Sequence, residues 1–269
     1  MKTILITGST DGIGKLTAMK LAKAGHHVII HGRNKKKLQT TIKELVGVSD
    51  QSRVSGYVAD LSDLKSVENF GIQIATNYTK LDILINNAGV FRSPVSKNNQ
   101  GLDIRLAVNY LAPFILTNDL LPLIKKSEEP RIINLSSAAQ ASVSLKALAG
   151  TEKIGIQEAY AQSKLAITMW SFWLANQEPN LNVIAVNPGS LLNTKMAMEA
   201  YGQFWAPVDK GANILVKLTT EPKKENHSGQ YFDNDKGDFN QAHLDAYNNI
   251  LISSLISETE KIIKDKNDK

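Results

Sequence analysis

The sequence predicts an α/β fold, a single-domain doubly wound parallel sheet with helices on both faces. Three observations predict it. Short apolar runs alternate with helical-period segments over about 190 residues, and strands joined by helices pair in parallel through right-handed crossovers. A glycine-rich turn, Thr7–Gly14, stands between the first apolar run and the first helix. The composition, 42% hydrophobic and 21% charged, suits a packed core, and no linker, repeat or low-complexity tract divides the 269 residues.

Each element follows from local chemistry. Thr3–Thr7 is a short buried strand ending in glycine. Gly14–Lys23 has helical spacing, with Gly25 suited to its C-terminal cap. His27–Ile30 is the second strand, and Asn34 caps a helix through about Val46. Arg53–Val58 is the third strand. Ser62 or Asp63 caps a helix to about Asn77, and Asp82–Ile85 is the fourth strand. Leu102–Lys126 is helical, with Pro113 expected to interrupt or bend it. Arg131–Leu135 is the fifth strand, followed by an irregular segment to about Gly155. Glu158–Asn176 is a long helix, Val183–Val186 the sixth strand and Pro207–Thr219 a helix. Gln230–Phe232 reads as a short last strand and Ala242–Ile256 as a helix, with a charged, frayed tail from about Glu258.

Composition excludes several classes of function. With no cysteine there is no disulfide, thiolate nucleophile or cysteine metal site. Five histidines, at 26, 27, 31, 227 and 243, lack ligand-like spacing, so no metal is expected; His26 and His27 read as lead-in to the second strand. The net charge of +5 is matched by His31–Lys43 alone, which holds Arg33, Lys35, Lys36, Lys37 and Lys43 and no acid. So local an excess argues against a nucleic-acid surface and for a small anionic target, or simply a solvated helix face. The N-terminal apolar run is too short for a signal sequence, and no stretch approaches the about 18 apolar residues of a membrane span. A cytoplasmic protein without a membrane anchor is the expectation.

Two patterns carry chemistry. In Thr7-Gly8-Ser9-Thr10-Asp11-Gly12-Ile13-Gly14, glycines permit a tight turn and close phosphate approach, and a helix N-terminus follows. The spacing differs from G-x-G-x-x-G and lacks a P-loop lysine, but its place after the first strand predicts dinucleotide binding. The second strand ends His31-Gly32-Arg33-Asn34, without the acid that holds a ribose 2′-hydroxyl. Arg33 suits a 2′-phosphate, with Lys37 as helper, so NADP(H) is expected over NAD(H). The second pattern is Tyr160-Ala-Gln-Ser-Lys164. Positions i and i+4 share a helix face, and an ammonium beside a phenol favours its ionised form. The pair suits proton exchange with a carbonyl or alcohol oxygen.

Together these residues resemble the short-chain dehydrogenase/reductase family, in its compact Rossmann-type form. The resemblance runs from Ile4 to about Phe232. It rests on Thr7–Gly14, Asp60-Leu61, Asn86-Asn87-Ala88-Gly89, Asn109, Ser136-Ser137, Tyr160–Lys164 and Asn187-Pro188-Gly189. It implies that Gly8, Ser9, Thr10, Asp11, Gly12, Ile13 and Gly14 cradle the cofactor, with Arg33 and Asn34 beside them. It implies that Asp60 binds the adenine amino group while Leu61 lies against the ring. Asn87, Ala88, Gly89, Pro188, Gly189 and Thr194 would line the cleft. Ser137, rather than Ser136, would polarise the carbonyl, and Tyr160 would be the acid-base group. Lys164 would lower the Tyr160 pKa and bind the nicotinamide ribose. Asn109 would hold a water in a proton relay.

The chain departs from the family pattern twice. Ser137 and Tyr160 stand 23 positions apart, farther than is common, and the longer Ala138–Glu158 segment, like YAQSKLA, resembles the retinol-dehydrogenase-like branch. Thr194 also lies one position farther from Pro188-Gly189 than usual, which weakens its assignment. Ser190–Val208 holds Leu191, Leu192, Met196, Met198, Tyr201, Phe204 and Trp205, which suits an apolar substrate. Trp170, Phe172 and Trp173 on the long helix suggest a partner face, hence a homodimer or homotetramer. The competing reading is a cofactor-sensing regulator that binds NADP(H) without turnover; the intact Asn109, Ser137, Tyr160 and Lys164 set speaks for the enzyme.

Overall fold

The computed structural model describes residues 1–222 and 227–267. Its sheet is built from β1 (Thr3–Ile6), β2 (His27–Gly32), β3 (Val54–Val58), β4 (Ile83–Asn86), β5 (Arg131–Leu135), β6 (Asn182–Asn187), β7 (Gln230–Asp233) and β8 (Asp238–Asn240). The spatial order is β3-β2-β1-β4-β5-β6-β7-β8. Every pairing is parallel except that of β7 with β8, which closes one edge as a hairpin.

The helices are α1 (Gly12–Lys23), α2 (Lys35–Val46), α3 (Leu64–Asn77), α4 (Ile104–Ile124), α5 (Leu145–Leu148), α6 (Ile156–Gln177), α7 (Lys195–Tyr201), α8 (Val208–Thr220) and α9 (Asn249–Asn267). Side chains alternate across each strand, so one sheet buries two cores. Leu5, Ile29, Leu84, Ile132 and Val183 join the core that includes α3, α4 and α6 residues. Ile4, Ile6, Val28, Ile30, Ile85, Ile133 and Val186 join the core that includes α1, α2 and α8 residues. The chain fills one half of the sheet from β1 outward and then crosses to β4. The crevice above β1 and β4 is therefore the topological switch point, where open α/β sheets bind ligands.

Expected caps are present. Asn34 accepts from the Lys37 N–H and Asp63 from the Lys65 N–H. Pro113 leaves its mark one turn upstream. Ala107–Leu111 is a π turn, with the Ala112 N–H reaching the Ala107 carbonyl. Pro113 has no N–H to offer the Asn109 carbonyl, and the backbone widens where that partner is missing.

The structure differs from the sequence expectation at several points, the added edge strand β8 among them. The segment after Ser137 contains the short helix α5, whose Ala147 and Leu148 are buried. A second short helix, α7, lies in the apolar segment after β6. The tail from Glu258 is helical through Asn267, because Thr259 and Ile262 are buried and the Thr259 hydroxyl meets that of Tyr110 at 2.8 Å. Trp170 and Phe172 are buried by the chain itself, Phe172 packing on Tyr247 just before α9, while Trp173 is half-buried. Finally, α4 is long and apolar enough to cross a membrane, with mean hydropathy 1.3, but 72% of that stretch is buried inside the protein.

Candidate active site

The turn between β1 and α1 is fixed by close packing. Gly8 and Gly12 have φ of +63° and +53°, the left-handed region glycine tolerates. A Cβ on Gly8 would stand 2.7 Å from the Ala88 Cα, and one on Gly14 would stand 2.3 Å from Asn87 Nδ2. A Cβ on Gly12 would face only Thr194, at 3.6 Å, so a slot opens between this turn and the start of α7. The slot borders the N-terminus of α1, whose first N–H groups have no partner within the helix.

Not every expected cofactor residue points into the slot. Ser9 is fully buried; its hydroxyl donates to the Ile6 carbonyl and accepts from the His31 N–H. Asn87 donates to the carbonyls of Thr7 and Gly8 at 2.8 and 2.9 Å, tying β4 to the turn. Leu61 belongs to the core. These side chains are spent inside the protein, where they support the turn. Ile13 packs toward Gly211 of α8, and Thr10 lies against Gly32. Asp11 caps α1 through the Gly12 N–H and also accepts from Lys37, at 3.3 Å. Lys37 thus bridges the turn to α2. Arg33 and Asn34 are exposed at the end of β2, with the Asn34 side-chain oxygen engaged as a cap. The Asp60 carboxylate accepts from the Ser62 N–H and hydroxyl, which orients it after β3.

At the other end of the crevice, α6 brings Tyr160 and Lys164 against the ends of β4 and β5. The Lys164 ammonium is buried and donates to the Leu135 carbonyl at 2.7 Å. It lies 5.6 Å from the centre of the Tyr160 ring, which packs at a tilt against Phe91 with ring centres 4.9 Å apart. Burial pulls the Lys164 pKa down to about 8. The Cβ position of Gly89 lies 3.4 Å from Asn109 Oδ1, 3.6 Å from Met196 Cε and 3.7 Å from Lys164 Nζ, which brings these groups to one place.

Asn109 is held on all sides. Its Oδ1 accepts from the Val90 N–H at 2.8 Å, and its Nδ2 donates to the Val90 carbonyl and the Ser163 hydroxyl. Ser163 in turn donates to the Tyr160 carbonyl. The two serines after β5 part company. Ser136 is buried, bonded to Thr168 and the Lys164 carbonyl. Ser137 is half-buried, its hydroxyl accepting from the Ala139 N–H.

Thr194 caps α7 and faces Gly12. The preceding loop is pinned by Asp235, which accepts from the Ser190 N–H and hydroxyl, Asn187 and Lys210. Burial raises the Asp235 pKa, but these bonds outweigh it and hold the carboxyl at about 2. Pro188 is fixed through its carbonyl by Asn234, and Gly189 takes φ +122°. In the apolar segment, Leu192 is buried and Met196 half-buried, while Met198, Phe204 and Trp205 are exposed.

Sequence reasoning missed several residues that shape this site. Tyr231 and the Gln140 side-chain amide both donate to the Ser137 carbonyl. His31, Ser163 and Asp235 make bonds across 23, 54 and 45 sequence positions, separations over which a local pattern gives no signal.

Comparison with known proteins agrees with this geometry. The family model described as short chain dehydrogenase matches residues 2–203. Retinol dehydrogenase 13 of Mus musculus is 34% identical over 251 residues, which cover 86% of this chain and 75% of that protein. Polyprenol dehydrogenase of Homo sapiens is 31% identical, with coverage of 87% and 77%. A short chain dehydrogenase of Shigella flexneri, solved in complex with NADP, superposes with a TM-score of 0.69 at 28% identity, covering 87% of this chain and 97% of that one. A protein of Mycobacterium paratuberculosis superposes with a TM-score of 0.79 at 25% identity, covering 98% and 94%. The extent of these matches makes the chain a member of the short-chain dehydrogenase family of oxidoreductases.

Proposed function

We propose that the protein transfers a hydride between NADP(H) and an apolar carbonyl or alcohol by a Ser137–Tyr160–Lys164–Asn109 mechanism. The observation that carries this reading is the buried Lys164 ammonium beside the Tyr160 ring at the sheet's switch point. A desolvated cation costs stability, so one kept beside a phenol in a cleft points to a role there.

The nicotinamide, when bound, supplies or accepts the hydride. In the reducing direction Tyr160 donates its proton to the carbonyl oxygen, and Lys164 stabilises the phenolate left behind. The Ser137 hydroxyl donates a hydrogen bond to that oxygen as its negative charge grows. Asn109, fixed between Val90 and Ser163, serves the proton path from Lys164 toward solvent. Lys164 would also bind the nicotinamide ribose hydroxyls. The turn from Gly8 to Gly14 would hold the pyrophosphate, and Asp60 the adenine. Ala88, Gly89, Pro188, Gly189 and Thr194 would flank the nicotinamide. Exposed Arg33 is the residue for the 2′-phosphate. The NADP in the Shigella relative supports this cofactor, and the names of the retinol and polyprenol dehydrogenases support an apolar substrate.

The test follows nicotinamide absorbance with NADPH and NADH against a panel of aliphatic, aromatic and isoprenoid aldehydes and ketones. Wild type should prefer NADPH, and Arg33→Ala should lose about tenfold or more of that preference. Tyr160→Phe should abolish turnover and keep cofactor affinity. Preference of wild type for NADH would remove the Arg33 argument, and turnover by Tyr160→Phe would remove the mechanism. Tight NADPH binding without turnover of any carbonyl would favour the regulator.

A further inference from the structure

His31 stands two residues before Arg33 on β2, and its ring is buried beneath the phosphate turn. Its Nδ1 accepts from the Gly8 N–H at 3.1 Å, and its Nε2 faces the Ala59 carbonyl, also at 3.1 Å. A carbonyl can only accept and a backbone N–H can only donate. The ring is therefore neutral, with its proton on Nε2. It packs against Phe70 with the ring centres 4.9 Å apart. The His31 backbone also grips the turn: its N–H donates to the Ser9 hydroxyl, and its carbonyl accepts from the Ser9 N–H at 2.9 Å.

The Thr7–Gly8 peptide is thereby held at both polar ends. Its carbonyl, that of Thr7, accepts from Asn87 on one side; its N–H, that of Gly8, donates to His31 on the other. A planar peptide fixed at both groups cannot rotate, so the orientation of the following residues is set before a ligand arrives. Gly8 also directs its N–H into the protein, away from the slot. The phosphate must then be met by N–H groups nearer the start of α1. Pre-set donors favour binding because little ordering remains to be done.

We infer that His31 is a positioning residue for the cofactor: as an acceptor at Nδ1 it holds the phosphate-binding turn in its binding geometry, an inference that rests on the dinucleotide reading above. The function belongs to Nδ1 and not to the ring as filler. Burial also keeps the imidazole neutral, with its pKa lowered to about 4, so the acceptor is present at neutral pH.

Two substitutions separate the two ring nitrogens. His31→Asn places an amide oxygen near the Nδ1 position and gives up the bond to Ala59. His31→Gln places its amide near Nε2 and gives up the bond to Gly8. NADPH affinity is measured for each by titration of nucleotide fluorescence, together with thermal unfolding and the steady-state constants. His31→Asn should stay within about threefold of wild type, whereas His31→Gln should bind about tenfold more weakly. The loss should fall on KM for the cofactor and spare kcat at saturation. Equal weakening in both variants, or weakening that tracks the loss of Tm in place of the acceptor position, overturns the assignment. Wild-type protein that binds neither NADPH nor NADH overturns the dinucleotide reading itself; wild type that binds, with His31→Gln unaffected, overturns only the role of His31.

Discussion

Lys164 should destabilise the cofactor-free protein, and replacing it should reveal by how much. Burial lowers its pKa from 10.5 to about 8. Each pKa unit corresponds to about 1.4 kcal/mol, so the charged form costs about 3 kcal/mol in the folded state. The pH dependence follows from where the proton sits. Below pH 8 both folded and unfolded states hold it, and the full cost is present. Between pH 8 and 10.5 the unfolded chain still holds the proton that the folded chain has released, so stability rises with pH. Above 10.5 the cost is gone. Lys164→Met keeps the length of the side chain and removes the charge. It also leaves the Leu135 carbonyl without the 2.7 Å bond, a loss of about 1 kcal/mol. The variant should therefore be more stable than wild type by about 2 kcal/mol at pH 7. Urea unfolding of both cofactor-free proteins at pH 7, 8.5 and 10 measures it; lysines and tyrosines remote from Lys164 are common to both and cancel. The advantage of Lys164→Met should shrink as pH rises and reverse near pH 10. Parallel curves, or a variant less stable at pH 7, would refute the reasoning. The same variant should lack turnover.

The remaining expectations concern the turn, the loop after β6 and the last helix. Gly14→Ala forces a Cβ to within 2.3 Å of Asn87 Nδ2 and 2.6 Å of the Gly8 carbonyl oxygen. It should destabilise by about 1–3 kcal/mol in chemical denaturation and weaken NADPH binding, whereas Gly155→Ala, with nothing within 4 Å, should cost only the about 1 kcal/mol of a poorer helix N-cap and leave NADPH binding unchanged. Asp235→Asn places an amide where a carboxylate gathers donors from Ser190, Asn187 and Lys210. Substrate KM should rise about threefold to tenfold in steady-state assays, with a smaller change in kcat. In wild type the stabilisation from this depressed carboxyl is complete above the unfolded value of 3.8 and is lost as pH falls through about 2, so the acid limb of its stability curve should flatten in Asp235→Asn. Tyr110→Phe breaks the buried 2.8 Å bond to Thr259. It should cost about 1 kcal/mol and speed hydrogen exchange in α9 more than elsewhere.

The alternating elements were legible because each one buries apolar residues on its own period. Val28, Ile29 and Ile30 read as a strand and are fully buried in one. Asn34 and Asp63 read as caps because the signal lies within three residues of the bond. Legibility ended where structure depends on distant partners. The antiparallel β8 has weak strand chemistry of its own; Phe239 is placed by Phe232 across the hairpin. The tail beyond Glu258 looked frayed because its charges dominate the composition, yet Leu255, Thr259 and Ile262 lie along one helix face and are buried. The same holds at the site. Glycine spacing and the Tyr160–Lys164 interval are local and were legible. That Ser9 and Asn87 spend their side chains inside the turn was not, since their partners lie 22 and about 80 positions away.

The strand end that carries Ser137 explains how the fold tolerates a buried ammonium. Three consecutive residues there are each held by a side chain from elsewhere in the fold. Lys164 of α6 binds the Leu135 carbonyl, Thr168 of the same helix meets the Ser136 hydroxyl, and Tyr231 of β7 with Gln140 binds the Ser137 carbonyl. Below them Asn134 accepts from Asn86 and donates to Ser171, while Asn86 also reaches Thr117. Buried polar groups are stable only when satisfied, and most of this network is; the Asn86 side-chain oxygen is an exception among the described residues. A donor that must meet an oxygen only as charge develops cannot reorganise at that moment, so its backbone has to be fixed beforehand. Lys164 is one of the clamps that fix it. Its ammonium thus costs stability through desolvation and returns part of it through the Leu135 bond, and the same placement puts its charge beside Tyr160. Removing the charge should therefore stabilise the fold while loosening the strand end. Stability and hydroxyl placement should move in opposite directions in Lys164→Met, a divergence that a purely structural lysine would not produce.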